Sequence, residues 1–119
     1  MSTIANIVVG LIALLHGYIL VLEMFLWDKP AGLRAFGQTL EAATATRVLA
    51  ANQGLYNGFL AAGLVWGLGL GAAGSGVKVF FLSCVLVAGL YGAASTGMRK
   101  ILLTQAVPAA VALALLLLS

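Results

Sequence analysis

Leu15-His16-Gly17-Tyr18-Ile19-Leu20-Val21-Leu22-Glu23-Met24-Phe25-Leu26-Trp27 closes an apolar run that begins at Ile4. A stretch of this length, with no charge before Glu23, is enough for a helix to cross the ~30 Å hydrocarbon core of a bilayer. Within it His16 and Glu23 stand two helical turns apart. Their side chains therefore leave the same face of one helix, roughly 10 Å apart along its axis. Ionisable groups are costly in hydrocarbon and ordinarily face a protein interior or a water-filled cavity. The pair therefore marks a candidate site on a membrane helix.

Composition extends the reading to the whole chain. Its 119 residues are 63% hydrophobic and 8% charged, against roughly 45–50% and 25% for an average soluble domain. A soluble core of this size has no interior large enough to hide so much apolar surface, so the chain is expected to be a polytopic membrane protein. Met1-Ser2-Thr3 lacks the basic start of a secretory signal, and the apolar run after it exceeds a signal's usual 7–15 residues. The first segment is accordingly expected to be a retained span. The single cysteine, Cys84, excludes an intrachain disulfide and reads as a small packing residue.

Outward from the first run, three further apolar stretches approach the ~20 residues of a membrane helix. The expected spans are Ile4–Trp27, Val48–Gly71, Val77–Met98 and Ile101–Leu118, forming one all-α four-transmembrane-helix bundle over residues 1–119. Lys29, Arg34, Arg47, Arg99 and Lys100 fall in the first and third breaks, and Lys78 alone in the second. Basic residues of short loops gather on the cytoplasmic side. This places the protein in the inner (cytoplasmic) membrane with both termini on the opposite face. The first loop, Asp28 to Arg47, is long for a bundle. Pro30 suits a first helical position, and Leu33, Phe36 and Leu40 form an apolar stripe opposite Arg34, Gln38 and Glu41. That pattern predicts a short helix in the membrane interface.

Small residues recur at four-residue spacing: Gly54 and Gly58; Gly63, Gly67 and Gly71; Gly89, Ala93 and Gly97. Such faces let helix backbones approach closely, within the bundle or in a homodimer. The run from Gly69 to Gly76 reads as a tight turn, because it lacks the Gly-Lys-Ser/Thr ending of a phosphate loop.

The second stretch, Ala51-Asn52-Gln53-Gly54-Leu55-Tyr56-Asn57-Gly58, adds three amides and a phenol where hydrocarbon offers them no partner. Counting inward at 1.5 Å per residue from Trp27 and from Arg47 puts Glu23 about 6 Å deep, level with Asn52 and Gln53 at about 8–9 Å. His16, at about 16 Å, comes level with Asn57 at about 15 Å. Tyr91, Ser95 and Gln105 fall about 5–10 Å from the same interface. The predicted site is therefore a cytoplasm-facing pocket. Glu23 and His16 are its proton-transfer candidates, and Asn52, Gln53, Tyr56, Asn57, Tyr91, Gln105 and Trp27 its ligand contacts. One histidine, one cysteine and scattered methionines offer no metal-ligand spacing, and neither a cofactor motif nor a nucleic-acid-binding patch is present.

The stretches Leu15-His16-Gly17-Tyr18-Ile19 with Leu22-Glu23-Met24-Phe25-Leu26-Trp27, and Ala51 through Leu64, resemble the signatures of a family of small four-span bacterial and fungal membrane proteins classed as a domain of unknown function. The resemblance implies four transmembrane helices and no particular activity.

Three function classes fit the residues. The leading one is binding, with or without isomerisation, of a small amphipathic molecule such as a lipid, sterol or quinone. The second is proton-coupled transport by a dimer, by architectural analogy with small multidrug exporters. In the third, the chain is a structural or accessory subunit whose polar groups only join helices. A transporter's proton site belongs near the midplane, whereas Glu23 lies near one interface, which favours a one-sided pocket.

Overall fold

The structure, a computed structural model, describes residues 2–119, and these form helices and turns. In chain order they are α1 (Ser2–Met24), α2 (Pro30–Phe36), α3 (Leu40–Gly69), a 3-10 turn (Gly71–Gly74), α4 (Ser75–Thr96) and α5 (Arg99–Leu117). Three helical stretches, Thr3–Met24, Gly71–Thr96 and Arg99–Leu117, are long and apolar enough to cross a membrane. The all-α membrane class is thus as expected from composition. α3 is the longest helix, about 45 Å at the standard rise, but Asn52, Gln53 and Asn57 make it more polar than the other three.

Helix ends differ from the expected boundaries for local reasons. α1 stops at Met24, not Trp27: the N–H groups of Phe25 and Leu26 both donate to the Val21 carbonyl, at 3.0 and 3.2 Å, and the chain then turns. α2 begins with Pro30 and carries Leu33 and Phe36 as predicted, but not Leu40. Gly37 ends it with φ of 62°, a left-handed conformation that glycine adopts at no steric cost, and its N–H donates to the Leu33 carbonyl. Thr39 then caps α3, its Oγ1 accepting the Ala42 N–H at 3.2 Å. Leu40 is therefore the first residue of α3, well ahead of the expected Val48.

α5 contains a π-helical segment, Leu102–Ala106, in which the Val107 N–H reaches the Leu102 carbonyl. Pro108 accounts for it. A proline has no N–H to offer the carbonyl four residues back, and its ring crowds that carbonyl. The wider π turn relieves both problems.

The chain divides into two compact units, one of residues up to Ala13 with Leu60–Ser119, the other Leu14–Phe59. α1 and α3 run through both. The first unit packs Val9, Ile12, Ala13, Leu64, Leu82, Val85, Ala109 and Ala112 into an apolar core. Gly89 brings α4 against α5 so closely that a Cβ there would stand 2.7 Å from the Ala106 backbone nitrogen, and Gly63 faces the Phe81 ring. In the second unit α1 and α3 run antiparallel: Trp27 meets Thr46, Glu23 and Met24 lie over Gly54, and Leu20 lies over Gly58. Gly54, Gly58, Gly63, Gly67 and Gly89 thus serve helix packing inside the chain, whereas Gly71 and Gly97, expected on the same faces, follow the ends of α3 and α4 with φ of 61° and 71° and face open space.

Candidate functional site

At Gly54 a Cβ would stand 2.7 Å from Met24 Cγ and 3.0 Å from Glu23 Cβ. The absence of a side chain there lets α1 press onto α3 and buries Glu23, which is 6% exposed. Asn57 Nδ2 donates to Glu23 Oε1 at 2.6 Å, and also lies 3.3 Å from the Gln53 carbonyl oxygen. Depth counting expected Glu23 beside Asn52 and Gln53; the structure pairs it with Asn57, one turn further along. Side chains tilt toward the N-terminus of their own helix. In an antiparallel pair, therefore, Glu23 leans away from Trp27 while Asn57 leans back toward it. The turn after Met24 adds to the error, because Trp27 no longer sits on the helical rise.

Trp27 organises the mouth of this unit. Its indole Nε1 donates to Thr46 Oγ1 at 3.1 Å, and its ring packs on Phe36 with centroids 4.8 Å apart. α2 is further seated by Gly32, where a Cβ would overlap the Leu26 carbonyl. Arg47 Nη1 donates to Asp28 Oδ2 at 3.5 Å, so this cation is engaged with the carboxylate that follows Trp27. Beside this ion pair is a cavity of about 350 Å³ lined by Met24, Phe25, Trp27, Asp28, Lys29, Arg47, Val48 and Ala51. Its walls are apolar and its charged residues are Asp28, Lys29 and Arg47.

The other predicted site residues fall in different settings. His16 is 1% exposed on α1; its Nε2 is enclosed without a hydrogen-bonding atom in reach, while the residue keeps a further interaction of its own. Asn52, Gln53 and Tyr56 are exposed on α3, and Tyr56 packs edge-on against Phe59. Tyr91 and Gln105 belong to the first unit: Tyr91 is 74% exposed on α4, and Gln105 lies half-buried in the π segment against Gly89. Of the predicted set, hydrogen bonding joins Glu23 directly to Asn57.

The model of a protein family of unknown function, DUF1304, matches residues 10–117. The chain belongs to the DUF1304 family. It is also 32% identical over 106 residues to the uncharacterized protein YpaA of Lactococcus lactis subsp. lactis (strain IL1403), covering 87% of this chain and 88% of the relative. No solved structure matches it.

Among the described residues of this DUF1304 chain, Lys78 joins Glu23 and His16 as a buried ionisable residue, one that sequence reading assigned to a loop. Lys78 lies in the first turn of α4 and is 5% exposed; its Nζ donates to Asn6 Oδ1 on α1 at 2.9 Å. Gly67 makes room for the lysine stem, with Lys78 Cγ 2.7 Å from where a Cβ would be. All three acidic side chains, Glu23, Asp28 and Glu41, lie in the other unit, and Lys78 is held by an amide. The available signal was the lone Asn6 in an apolar run. The partner of that amide is 72 residues away, where no periodicity reaches.

Proposed function

We propose that this protein spans the membrane four times, with α3 as the fourth span, and binds an anionic amphiphile at the cytoplasmic mouth of the unit formed by Leu14–Phe59. The ligand class is an acyl chain carrying one acidic headgroup, a lipid phosphate or a fatty-acid carboxylate. The observation that carries this reading is the cavity of about 350 Å³ with Met24, Phe25, Val48 and Ala51 as its apolar wall and Lys29, Arg47 and Asp28 at its charged part. Pockets for small ligands have such sizes and such a mixture, with a few polar groups fixing orientation. Two cations against one carboxylate favour an acid over a neutral sterol or quinone.

Sidedness follows from charge. Lys29, Arg34, Arg47, Arg99 and Lys100 are all exposed, whereas Lys78 is buried inside α4. The exposed basic side chains thus all belong to the first and third breaks between the proposed spans, the pattern of a cytoplasmic face. Both termini then lie on the other side. Glu23, held by a neutral amide and not by a cation, is the group through which a proton would enter the site.

The test is native mass spectrometry of the full-length protein extracted with its lipids. A retained fatty acid or acidic phospholipid, distinguished by fragmentation and depleted at least tenfold in the Lys29→Gln/Arg47→Gln variant, is the expected result. Wild-type protein with no such adduct, or an adduct indifferent to the variant, would overturn the proposal.

A further inference from the structure

α3 shows two unlike faces between Val48 and Phe59. Ala50 and Gly54 are buried, and Gly54, Asn57 and Gly58 meet Glu23, Met24 or Leu20 of α1. The opposite face exposes Val48 and Leu49 at 81% and 72%, Tyr56 and Phe59 at 56% and 54%, and Asn52 among them. Asn52 and Tyr56 are four residues apart and lie near the centre of this exposed stripe. Among the described residues, neither side chain forms a hydrogen bond. In hydrocarbon an amide with no partner is costly, and membrane helices satisfy such groups across helix–helix contacts.

We infer that this stripe pairs with the same stripe of a second copy of the chain. The argument is complementarity. Copies inserted in one orientation associate about a two-fold axis along the membrane normal, which sets each residue at the crossing against its own counterpart. An asparagine side chain has both donors and an acceptor, and the tyrosine hydroxyl both donates and accepts, so Asn52 and Tyr56 are each complementary to themselves. No charged residue lies between Val48 and Phe59, and Arg47 at the edge of the stripe is paired with Asp28. Gly54, Gly63, Gly67 and Gly89 already meet side chains or backbone of their own chain, so the contact between copies falls to α3's polar stripe. The inference rests on α3 being a membrane span.

Full-length protein in phosphatidylcholine–phosphatidylglycerol vesicles provides the test, in a Cys84→Ser background so that the introduced cysteine stands alone. Asn52→Cys should form a disulfide-linked dimer on mild oxidation at least tenfold faster than Leu14→Cys, a control whose native residue is 72% exposed on α1. Asn52→Leu, which suits lipid and leaves the buried face untouched, should weaken dimerisation about threefold to tenfold by fluorescence transfer on dilution into excess lipid. Equal cross-linking at positions 14 and 52, or dimerisation unaltered by Asn52→Leu, overturns the pairing. A membrane-impermeant maleimide separates the two ideas. If Asn52→Cys labels as fast as Gly37→Cys in the loop, α3 is not a span and both fail. If position 52 is protected yet does not cross-link, the pairing alone fails.

Discussion

Two buried ionisable side chains, one in each unit, are both hydrogen-bonded to a neutral amide, and they differ in what surrounds them. Lys78 is packed against Gly67 in the unit with the apolar core, and Asn6 is its hydrogen-bond partner. Glu23 is the last residue but one of α1, bonded to Asn57, and the next residues of the chain line a cavity with a charged rim. The first arrangement holds helices together. The second does that too, and the residue that follows Glu23 in the chain, Met24, lines a cavity. Burial of charge therefore does not identify a site by itself; the neighbouring cavity distinguishes the two pairs.

The comparison is broken most severely from the Lys78 side. Asn6→Leu leaves a buried ammonium without its acceptor and should destabilise the protein by about 1.5–3 kcal/mol, read as a lowered unfolding midpoint in detergent. Adding Lys78→Met should recover most of that loss, because replacing both partners by apolar groups of similar shape is often near neutral. Ligand retention should be unchanged in the double variant. If retention falls, Lys78 takes part in binding and the contrast between the units is lost.

Asn57→Leu comes next, costing about 1–3 kcal/mol by removing the donor to a buried carboxylate. Here binding should fall as well as stability. Glu23→Gln keeps an acceptor for Asn57 and should shift stability by under about 1 kcal/mol, while altering affinity for an acidic ligand or its dependence on pH. Smallest is Arg47→Gln, whose ion pair is exposed on the arginine side and worth about 0–1 kcal/mol to folding. Its thermal midpoint should hardly move while binding of an acidic amphiphile drops.

How much of this was legible in the sequence depends on the range of the interaction. The helical class, the costly Glu23 and the amide cluster that contains its partner Asn57 were readable from one run of residues at a time. Leu40 was misassigned to the short loop helix because apolar spacing carried across Gly37, whose left-handed backbone ends that helix. Glu23 was matched to Asn52 and Gln53 because depth counting ignores the tilt of side chains along antiparallel helices. The pairing of Lys78 with Asn6 was illegible for a different reason: a lysine close to a glycine-rich turn reads as a loop anchor until the tertiary fold buries it. The same limit applied to α3, where composition revealed three amides but not that Asn57 would turn inward and Asn52 outward.

The central claim, an acidic amphiphile held beside Trp27, is tested most directly by fluorescence quenching. The chain has two tryptophans, so Trp66→Phe leaves Trp27 as the sole reporter in the cavity wall. Titration with brominated phosphatidylglycerol, brominated fatty acid and brominated phosphatidylcholine in matched vesicles should give saturable quenching with at least one of the two acidic probes, shallow unsaturable quenching with the neutral lipid, and loss of the difference in Arg47→Gln. Equal quenching by all three probes, unaffected by Arg47→Gln, would contradict the account.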